Sequence, residues 1–523
     1  MRLLLIVITL LVTSCASMKQ PPPRPGPPAV PDLDNIWYEA GQATLGAALK
    51  RKTRPAKAKN VIFFVGDGMS VATVSAARIL EGQQAGATGE EHALAFERFP
   101  YVALSKTYNT NAQVPDSAGT ATAMLSGVKT IMGAIGVDAS VARGECSNLE
   151  TASVPTLLEL AEQRGIATGV ISTARITHAT PASSYAHSPN REWEAVGPED
   201  CADIARQLVE FDHGDGPEVV LGGGRAPFMP ATEADPEYSD RTGWRQDNRN
   251  LITEWLGSAG TRSKYVWNKE QFDAVSPRNA SRLLGLFEPS HMQYEADRND
   301  GPGGEPSLAD MVAKAIRMLK KSDDGYFLFV EGGRIDHAHH GANAYRALHD
   351  TIAMSDAVAT ARQMTDTNDT LIIVTADHGH VMEIAGYPTR GNPILGKVIS
   401  LNEDGSPANV YALDAAGLPY TTLVYGNGPG HVGASDSQTT GPKVYPHQVG
   451  AYEKTPASRT DLTNVDTQQP DYMQESAVPT GSETHSGTDV PIYADGPGAS
   501  LLHGVHEQNY IFHVMAYALL AHR

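Results

Sequence analysis

The stretch Val61-Ile62-Phe63-Phe64-Val65-Gly66-Asp67-Gly68 decides the fold. Its consecutive apolar residues leave no polar face, so a strand built from them has to be covered on both sides, as the central strands of a parallel sheet are. Such a run recurs in Phe327-Leu328-Phe329-Val330 before Glu331-Gly332-Gly333, and in Leu371-Ile372-Ile373-Val374 before Thr375-Ala376-Asp377-His378. Residues 167–171 and 219–221 are weaker versions, and helical apolar spacing separates the runs over 155–164, 308–319 and 342–364. Alternating strands and helices predict an α/β domain with a doubly wound, mostly parallel central sheet flanked by helices. In such a sheet, ligands sit beyond the carboxyl ends of the strands. Three strands deliver a carboxylate there: Asp67, Glu331 and Asp377.

At 523 residues the chain can bury a large core, and its 60 acidic against 41 basic side chains give a formal charge of -19. That sign disfavours a nucleic-acid-binding surface but leaves room for a local basic pocket holding a small anion. Arg2 followed by the apolar run 3–12 is too short to span a bilayer as a mature helix and reads as an export signal. It ends in Val12-Thr13-Ser14-Cys15, which is similar to a bacterial lipobox, whose cysteine carries lipid after cleavage. The alternative is an ordinary signal peptide that contains a cysteine. Either way the expected location is outside the cytoplasm, periplasmic or at the cell surface, with Cys15 as the membrane anchor in the first case. The proline-rich stretch 20–31 suits an extended tether. Two cysteines remain, Cys146 and Cys201, and an oxidising compartment makes a disulfide between them the natural pairing, with two buried thiols as the alternative.

Clustered carboxylates raise one another's pKa unless a cation neutralises them. Asp336-His337-Ala338-His339-His340 and Asp377-His378-Gly379-His380 add imidazoles beside the strand-end acids. Mixed Asp and His ligation suits zinc, and a set of Asp, Glu and hydroxyl oxygens suits magnesium. Taken singly, Asp67 reads as a turn residue and 336–340 as a solvated helix start; taken together they read as a metal centre. Val114-Pro115-Asp116-Ser117-Ala118-Gly119-Thr120-Ala121-Thr122-Ala123-Met124 reads as a loop feeding a helix. Ser117 falls at its N-terminus, where unpaired backbone N–H groups hold an anion, and is either a helix cap or a nucleophile. Two metals about 4 Å apart clamp a transferring phosphoryl group. Its remaining oxygens call for a bidentate arginine, and Arg191, in Ser188-Pro189-Asn190-Arg191-Glu192-Trp193, is either that residue or a surface arginine.

Several stretches, in order, resemble the alkaline phosphatases, and the animal-type branch more closely than the short bacterial one. They are Val65-Gly66-Asp67-Gly68-Met69, 115–123, Thr177-His178-Ala179-Thr180-Pro181-Ala182, 329–340, 375–381 and 481–490, with Gly222-Gly223-Gly224-Arg225 and Glu507-Gln508. The resemblance covers nearly everything from about residue 35 onward. It implies an alkaline phosphatase-like three-layer sandwich and a metal-dependent alkaline phosphomonoesterase, with Ser117 becoming phosphoserine and Arg191 holding the phosphate. It implies two zinc ions, one on Asp336, His340 and His485 and the other on Asp67, Asp377 and His378. Magnesium falls on Asp67, Thr180 and Glu331, with His178 beside it at a position where the family splits between Asp and His. A calcium-like site falls on Glu237, the Phe287 carbonyl, Glu288 and Glu305, the last being Asp in most relatives. The implied substrates are small phosphate monoesters, with inorganic phosphate as product and inhibitor, and the implied assembly is a homodimer.

The organisation that follows is a lipoprotein signal peptide over 1–14, a tether over 15–35 and an N-terminal helix or arm over 36–55. A catalytic α/β domain spans 56–385 and 482–523, interrupted by a crown-like insertion over 386–481 where Gly, Pro, Ser, Thr and Asn are frequent and long apolar runs vanish. Residues 503–523 return to helical spacing through Phe512, Met515, Ala516 and Leu519. The competing readings are a phosphodiesterase or sulfatase on the same metal scaffold, and a lipid-anchored phosphate-binding protein without turnover.

Overall fold

The three apolar runs lie side by side, with Val61 in register with both Phe327 and Leu371. The computed structural model describes residues 53–198, 201–298, 301–431, 442–445 and 459–521, together with Thr44 and Lys50. The chain divides into two units between Thr53 and Arg54. The signal peptide, Cys15 and the tether lie outside the described residues, as does most of the helix expected over 36–55, of which Thr44 is helical.

Along the chain come β1 (Asn60–Gly66), β2 (Tyr101–Lys106), β3 (Ala167–Arg175), β4 (Val219–Gly223), β5 (Ser263–Val266), β6 (Arg282–Leu286), β7 (Tyr326–Gly332) and β8 (Thr370–Ala376). Five short strands follow, β9 (Gly379–His380), β10 (Met382–Ile384), β11 (Leu423–Gly428), β12 (Ser476–Pro479) and β13 (His485–Ser486), then β14 (Val490–Asp495) and β15 (Gly504–Glu507). Ten of them form one sheet in the order β15-β2-β14-β8-β1-β7-β3-β4-β6-β5. Every neighbouring pair in it is parallel except the two made by β14.

Side chains alternate across the sheet, which is why the central runs are apolar throughout. Ile62, Phe64, Leu328, Val330, Ile372 and Val374 enter one buried cluster, covered by the helices Val71–Gln84, Leu308–Leu319 and Ala344–Met364. Val61, Phe63, Val65, Phe327, Phe329, Leu371 and Ile373 enter the other, covered by Ser117–Ser126, Leu157–Glu162 and Tyr510–Leu520. The result is a three-layer sandwich. Phe63 and Phe329 meet with ring centroids 5.9 Å apart, and truncating either to alanine would cost about 3–5 kcal/mol.

Capping sets the helix starts. Ser307 and Asp310 close a capping box ahead of Leu308–Leu319, whose Met311, Val312, Ala315, Ile316 and Leu319 make the buried stripe. The helix expected over 155–164 shortens to Leu157–Glu162 behind a Thr156–Glu159 box. That expected over 342–364 starts at Ala344, because Asn343 caps the Arg346 N–H.

The C-terminal stretch differs from its helical expectation. Gly504, at φ +88°, opens β15, which pairs with β2 as the sheet's edge, and the helix is confined to Tyr510–Leu520. β2 also lacks a continuous apolar run because one side faces outward, leaving Val102 50% exposed. Within 386–481, β11 and β12 join β10 in a three-stranded sheet. A disulfide links Cys146 to Cys201 with Cα atoms 6.1 Å apart. Across a separation of 55 residues it contributes roughly 4 kcal/mol in the chain-entropy account. Among the described residues, no helix is long and apolar enough to cross a membrane.

Away from the strand ends, Glu162 and Glu218 both accept from Thr168, through its hydroxyl and its backbone N–H at 2.5 and 2.7 Å. Burial pushes Glu162 up to about 7, and burial with the Glu162 charge pushes Glu218 up to about 8. Unfolded, both carboxyls release their protons near pH 4.5. The native state therefore holds more protons between about pH 4.5 and 8, and this pair costs stability progressively as pH rises through that window. Glu218→Gln is expected to melt above the parent by about 2 °C or more at pH 9 and to match it at pH 5 in scanning calorimetry. Equal melting at pH 9 contradicts the burial account.

Candidate active site

β1, β7 and β8 are adjacent, so their carboxyl ends open into one crevice. Glu331 pairs in register with Val65, and Gly66 with Ala376, which puts Asp67 next to Asp377 just beyond the sheet. Gly68 follows at φ +68°; a Cβ there would come within 2.3 Å of the His380 ring. Its N–H donates to Asp377 Oδ1 at 3.0 Å, as does the His378 N–H at 2.8 Å. Gln508 holds the Asp377 carbonyl at 2.7 Å.

Asp67, Asp377 and His378 form one close group, each offering an atom within 4.8 Å of the others. Neither oxygen of Asp67 has a hydrogen-bond donor, and both are buried. Burial, then the charges of Asp336, Asp377 and Glu331, push its carboxyl well above the usual range. His378 Nε2 lies 3.2 Å from Asp377, 3.5 Å from Asp67 and 3.3 Å from Ser117 Oγ. Burial and the neighbouring His485 hold this imidazole well below its ordinary value, so it is neutral.

A second close group contains Asp336, His340, His380 and His485. The helix Arg334–His340 sets Asp336 and His340 one turn apart. His340 donates Nδ1–H to the Glu483 carbonyl at 2.6 Å, and His485 donates Nδ1–H to the Pro115 carbonyl at 2.8 Å. Each ring therefore turns an Nε2 lone pair inward, and the two nitrogens stand 3.2 Å apart. His380 behaves differently. It lies between two carboxylates, with Nε2 on Asp336 at 2.7 Å and Nδ1 on Glu483. Burial disfavours its charge, yet Glu483 and Asp336 outweigh that and lift it to about 10. Burial would raise Asp336, but His340, His380 and His485 hold it well below the usual range. The His378 and His485 rings stack with centroids 3.7 Å apart and join the two groups.

Thr180 Oγ1 and Glu331 Oε1 are also buried without partners. Burial pushes Glu331 up to about 8, against the Ser172 hydroxyl that donates to its other oxygen. An octahedral cation taking hydroxyl and carboxylate oxygens fits this chemistry.

Asp116, not Ser117, is the N-cap of the helix Ser117–Ser126. It accepts from the Gly119 and Gly133 N–H groups, from Asn109, and from Arg191 Nη1 at 3.0 Å. Ser117 is thus the first helical residue, free of the capping role. Arg191 Nη2 reaches His178 Nε2 at 3.2 Å. Three of the four calcium candidates lie around Arg225, which donates to Glu237 at 2.8 Å, to the Phe287 carbonyl at 2.6 Å and, through its backbone N–H, to the Glu288 carbonyl at 2.9 Å. Glu288 accepts from Tyr238 and Gln293, while Glu305 Oε2 has no donor. Burial, then Glu288, pushes Glu305 up to about 9.

The geometry gathers the acids and imidazoles into close groups that could hold metal ions rather than leaving them scattered, and known proteins say what chemistry goes with them. The family described as alkaline phosphatase matches residues 58–521. The chain belongs to the alkaline phosphatase family. It is 44% identical to the tissue-nonspecific isozyme of Gallus gallus over 98% of this chain and 93% of that one. It is 42% identical to the human tissue-nonspecific isozyme, covering 99% and 92% of the two chains. Among solved structures, the Thermus thermophilus alkaline phosphatase superposes with a TM-score of 0.61 at 25% identity, over 91% of this chain and 94% of that one. The chain is accordingly a metal-dependent hydrolase of phosphate monoesters that works through a phosphoserine, the mechanism standard for the alkaline phosphatase family.

Sequence reasoning counted His380 among the imidazoles beside the acids without giving it a role, and passed over Glu483. Asp116→Ala would strip four donors of their acceptor and take from Arg191 its short carboxylate partner. It is expected to lower unfolding stability by about 2 kcal/mol or more, measured by denaturant melts. A loss of a few tenths would mean that Arg191 does not depend on it.

Proposed function

We propose that Ser117 is the residue phosphorylated, and that Asp336, His340 and His485 hold one zinc, Asp67, Asp377 and His378 the other, and Asp67, Thr180 and Glu331 the magnesium. The observation that carries the reading is Asp67: two buried carboxylate oxygens without a donor, beside His378, which itself lies 3.3 Å from Ser117 Oγ. The inward Nε2 lone pairs of His340 and His485 suit zinc, and the unpartnered oxygens of Thr180 and Glu331 suit magnesium. When bound, these ions supply positive charge that favours an ionised serine and a departing alkoxide.

The residues divide the remaining work. Ser117, starting its helix, brings Oγ to a point where first-turn N–H groups and the helix dipole favour negative charge. Its Oγ–phosphorus bond forms as the ester oxygen leaves. Arg191, fixed by Asp116, grips two of the other phosphoryl oxygens. Water then breaks the Oγ–phosphorus bond and releases inorganic phosphate, which rebinds as an inhibitor. Glu483 and His380 orient Asp336 without contacting the phosphoryl group.

A hard cation at Glu237, the Phe287 carbonyl, Glu288 and Glu305 is supported by the donorless Glu305 oxygen, with Arg225 supplying competing positive charge. Lipidation of Cys15, export, a homodimer and a crown built from 386–481 complete the proposal; the first two rest on the lipobox-like ending of the N-terminal apolar run.

Incubation with phosphorus-labelled aryl phosphate at mildly acidic pH, followed by peptide mapping, should place the label on Ser117. Ser117→Ala should keep the fold and lose the label; label on another residue sinks the assignment. His178→Asp puts a carboxylate beside the magnesium set. The magnesium concentration that restores half of the activity after chelation is expected to fall about tenfold. An unchanged value removes His178 from that role.

A further inference from the structure

His178, His291 and His337 also bring one ring nitrogen each within 4.8 Å of one another. His291 lies outside every motif stretch quoted above. Three imidazoles so close invite a metal, but their hydrogen bonds point elsewhere. His340 and His485 give their Nδ1–H to carbonyls and keep lone pairs facing inward. In this cluster each ring accepts from an arginine instead. Arg191 Nη2 donates to His178 Nε2 at 3.2 Å, the Arg175 backbone N–H to His291 Nδ1 at 3.1 Å, and Arg334 Nη1 to His337 Nδ1 at 3.0 Å.

A neutral imidazole that accepts at one nitrogen carries its hydrogen on the other. The remaining nitrogens are therefore donors. His178 Nδ1 is buried without a partner. Both nitrogens of His291 face Arg175 N–H groups, Nδ1 the backbone at 3.1 Å and Nε2 the Nη1 at 2.6 Å; a neutral ring accepts at only one of them, so the other contact sets two N–H groups together with no acceptor between them. An oxyanion satisfies that arrangement, because one oxygen accepts from both; a cation requires lone pairs that the arginines already occupy. Glu194 and Asp116 are committed to Arg175 and Arg191, and Arg334 lies over the Tyr294 ring. All three histidines are partly exposed, so the cluster is open to solvent.

We propose that His178, His291 and His337, with Arg175 and Arg334, form a second anion subsite beside Arg191, which takes a second anionic group borne by the alcohol part of a phosphate monoester. The inference rests on Arg191 as the phosphate-holding residue, to which His178 is directly bonded. It predicts a preference for polyanionic monoesters, such as bisphosphates, over those with a neutral alcohol.

The test uses the full-length protein loaded with zinc and magnesium. kcat/KM is measured for propane-1,3-diyl bisphosphate and for 3-hydroxypropyl phosphate, in the parent, His291→Asp and His291→Gln. The parent should favour the bisphosphate. His291→Asp should lower the ratio of the two constants about tenfold, and His291→Gln, which keeps an N–H donor, should retain most of it. Sulfate that slows the bisphosphate reaction but not the monophosphate reaction in the parent also supports the subsite, with a free oxyanion as an occupant. A ratio that His291→Asp leaves unchanged overturns the subsite alone, whereas failure of the parent on both substrates overturns the reading of the active site. Elemental analysis closes the remaining route: loss of one metal equivalent in both His291 variants makes the cluster a metal site and overturns the proposal.

Discussion

Asp67, Glu331, Asp336 and Asp377 are all buried at the carboxyl ends of adjacent strands or on the helix that follows one, and they cannot all be charged without counter-charge among them. The protein itself supplies only part of it. Asp336 is held ionised by the imidazoles around it, His340 first, then His380, which is braced against Glu483, and His485. Asp67 and Glu331 receive no such help, and burial drives both toward protonation. The sheet is built to make this happen: apolar on both faces, it leaves its strand ends as the place where polar groups collect.

The direction of hydrogen bonding separates two histidine clusters that composition alone would equate. Around Asp336, carbonyls accept from the rings, and lone pairs converge. Around His291, arginines donate to the rings, and N–H groups converge. The first arrangement favours a cation and the second an anion, and His178 and Arg191 join the second to the place proposed to hold the phosphoryl group. The same arginine is fixed on its other side by Asp116, which also caps the helix that begins at Ser117. Fold stability and the proposed phosphate grip thus share one carboxylate.

The centre of the fold was legible because β1, β7 and β8 are buried on both faces, which forces unbroken apolar runs. β2, β14 and β15 were not, since β2 alternates with solvent, β15 at the sheet's edge buries no residue fully, and β14 carries Pro491. Asp67 and Asp377 could be picked out because a strand end is a position that sequence reveals. His485 came only through resemblance, its Gly- and Ser-rich surroundings giving no local sign of the short strand β13 that carries it. His380 and His291 owe their roles to Glu483 and Arg175, 103 and 116 residues away, and no local pattern encodes such a partner.

The account stands on the claim that cations make this burial of carboxylates tolerable. Thermal unfolding of the full chain at pH 8, before and after exhaustive chelation and again after zinc and magnesium are restored, tests it most directly. The melting temperature should fall by about 10 °C on chelation and recover with the metals. A chain verified to be free of metal that melts at the unaltered temperature would contradict it.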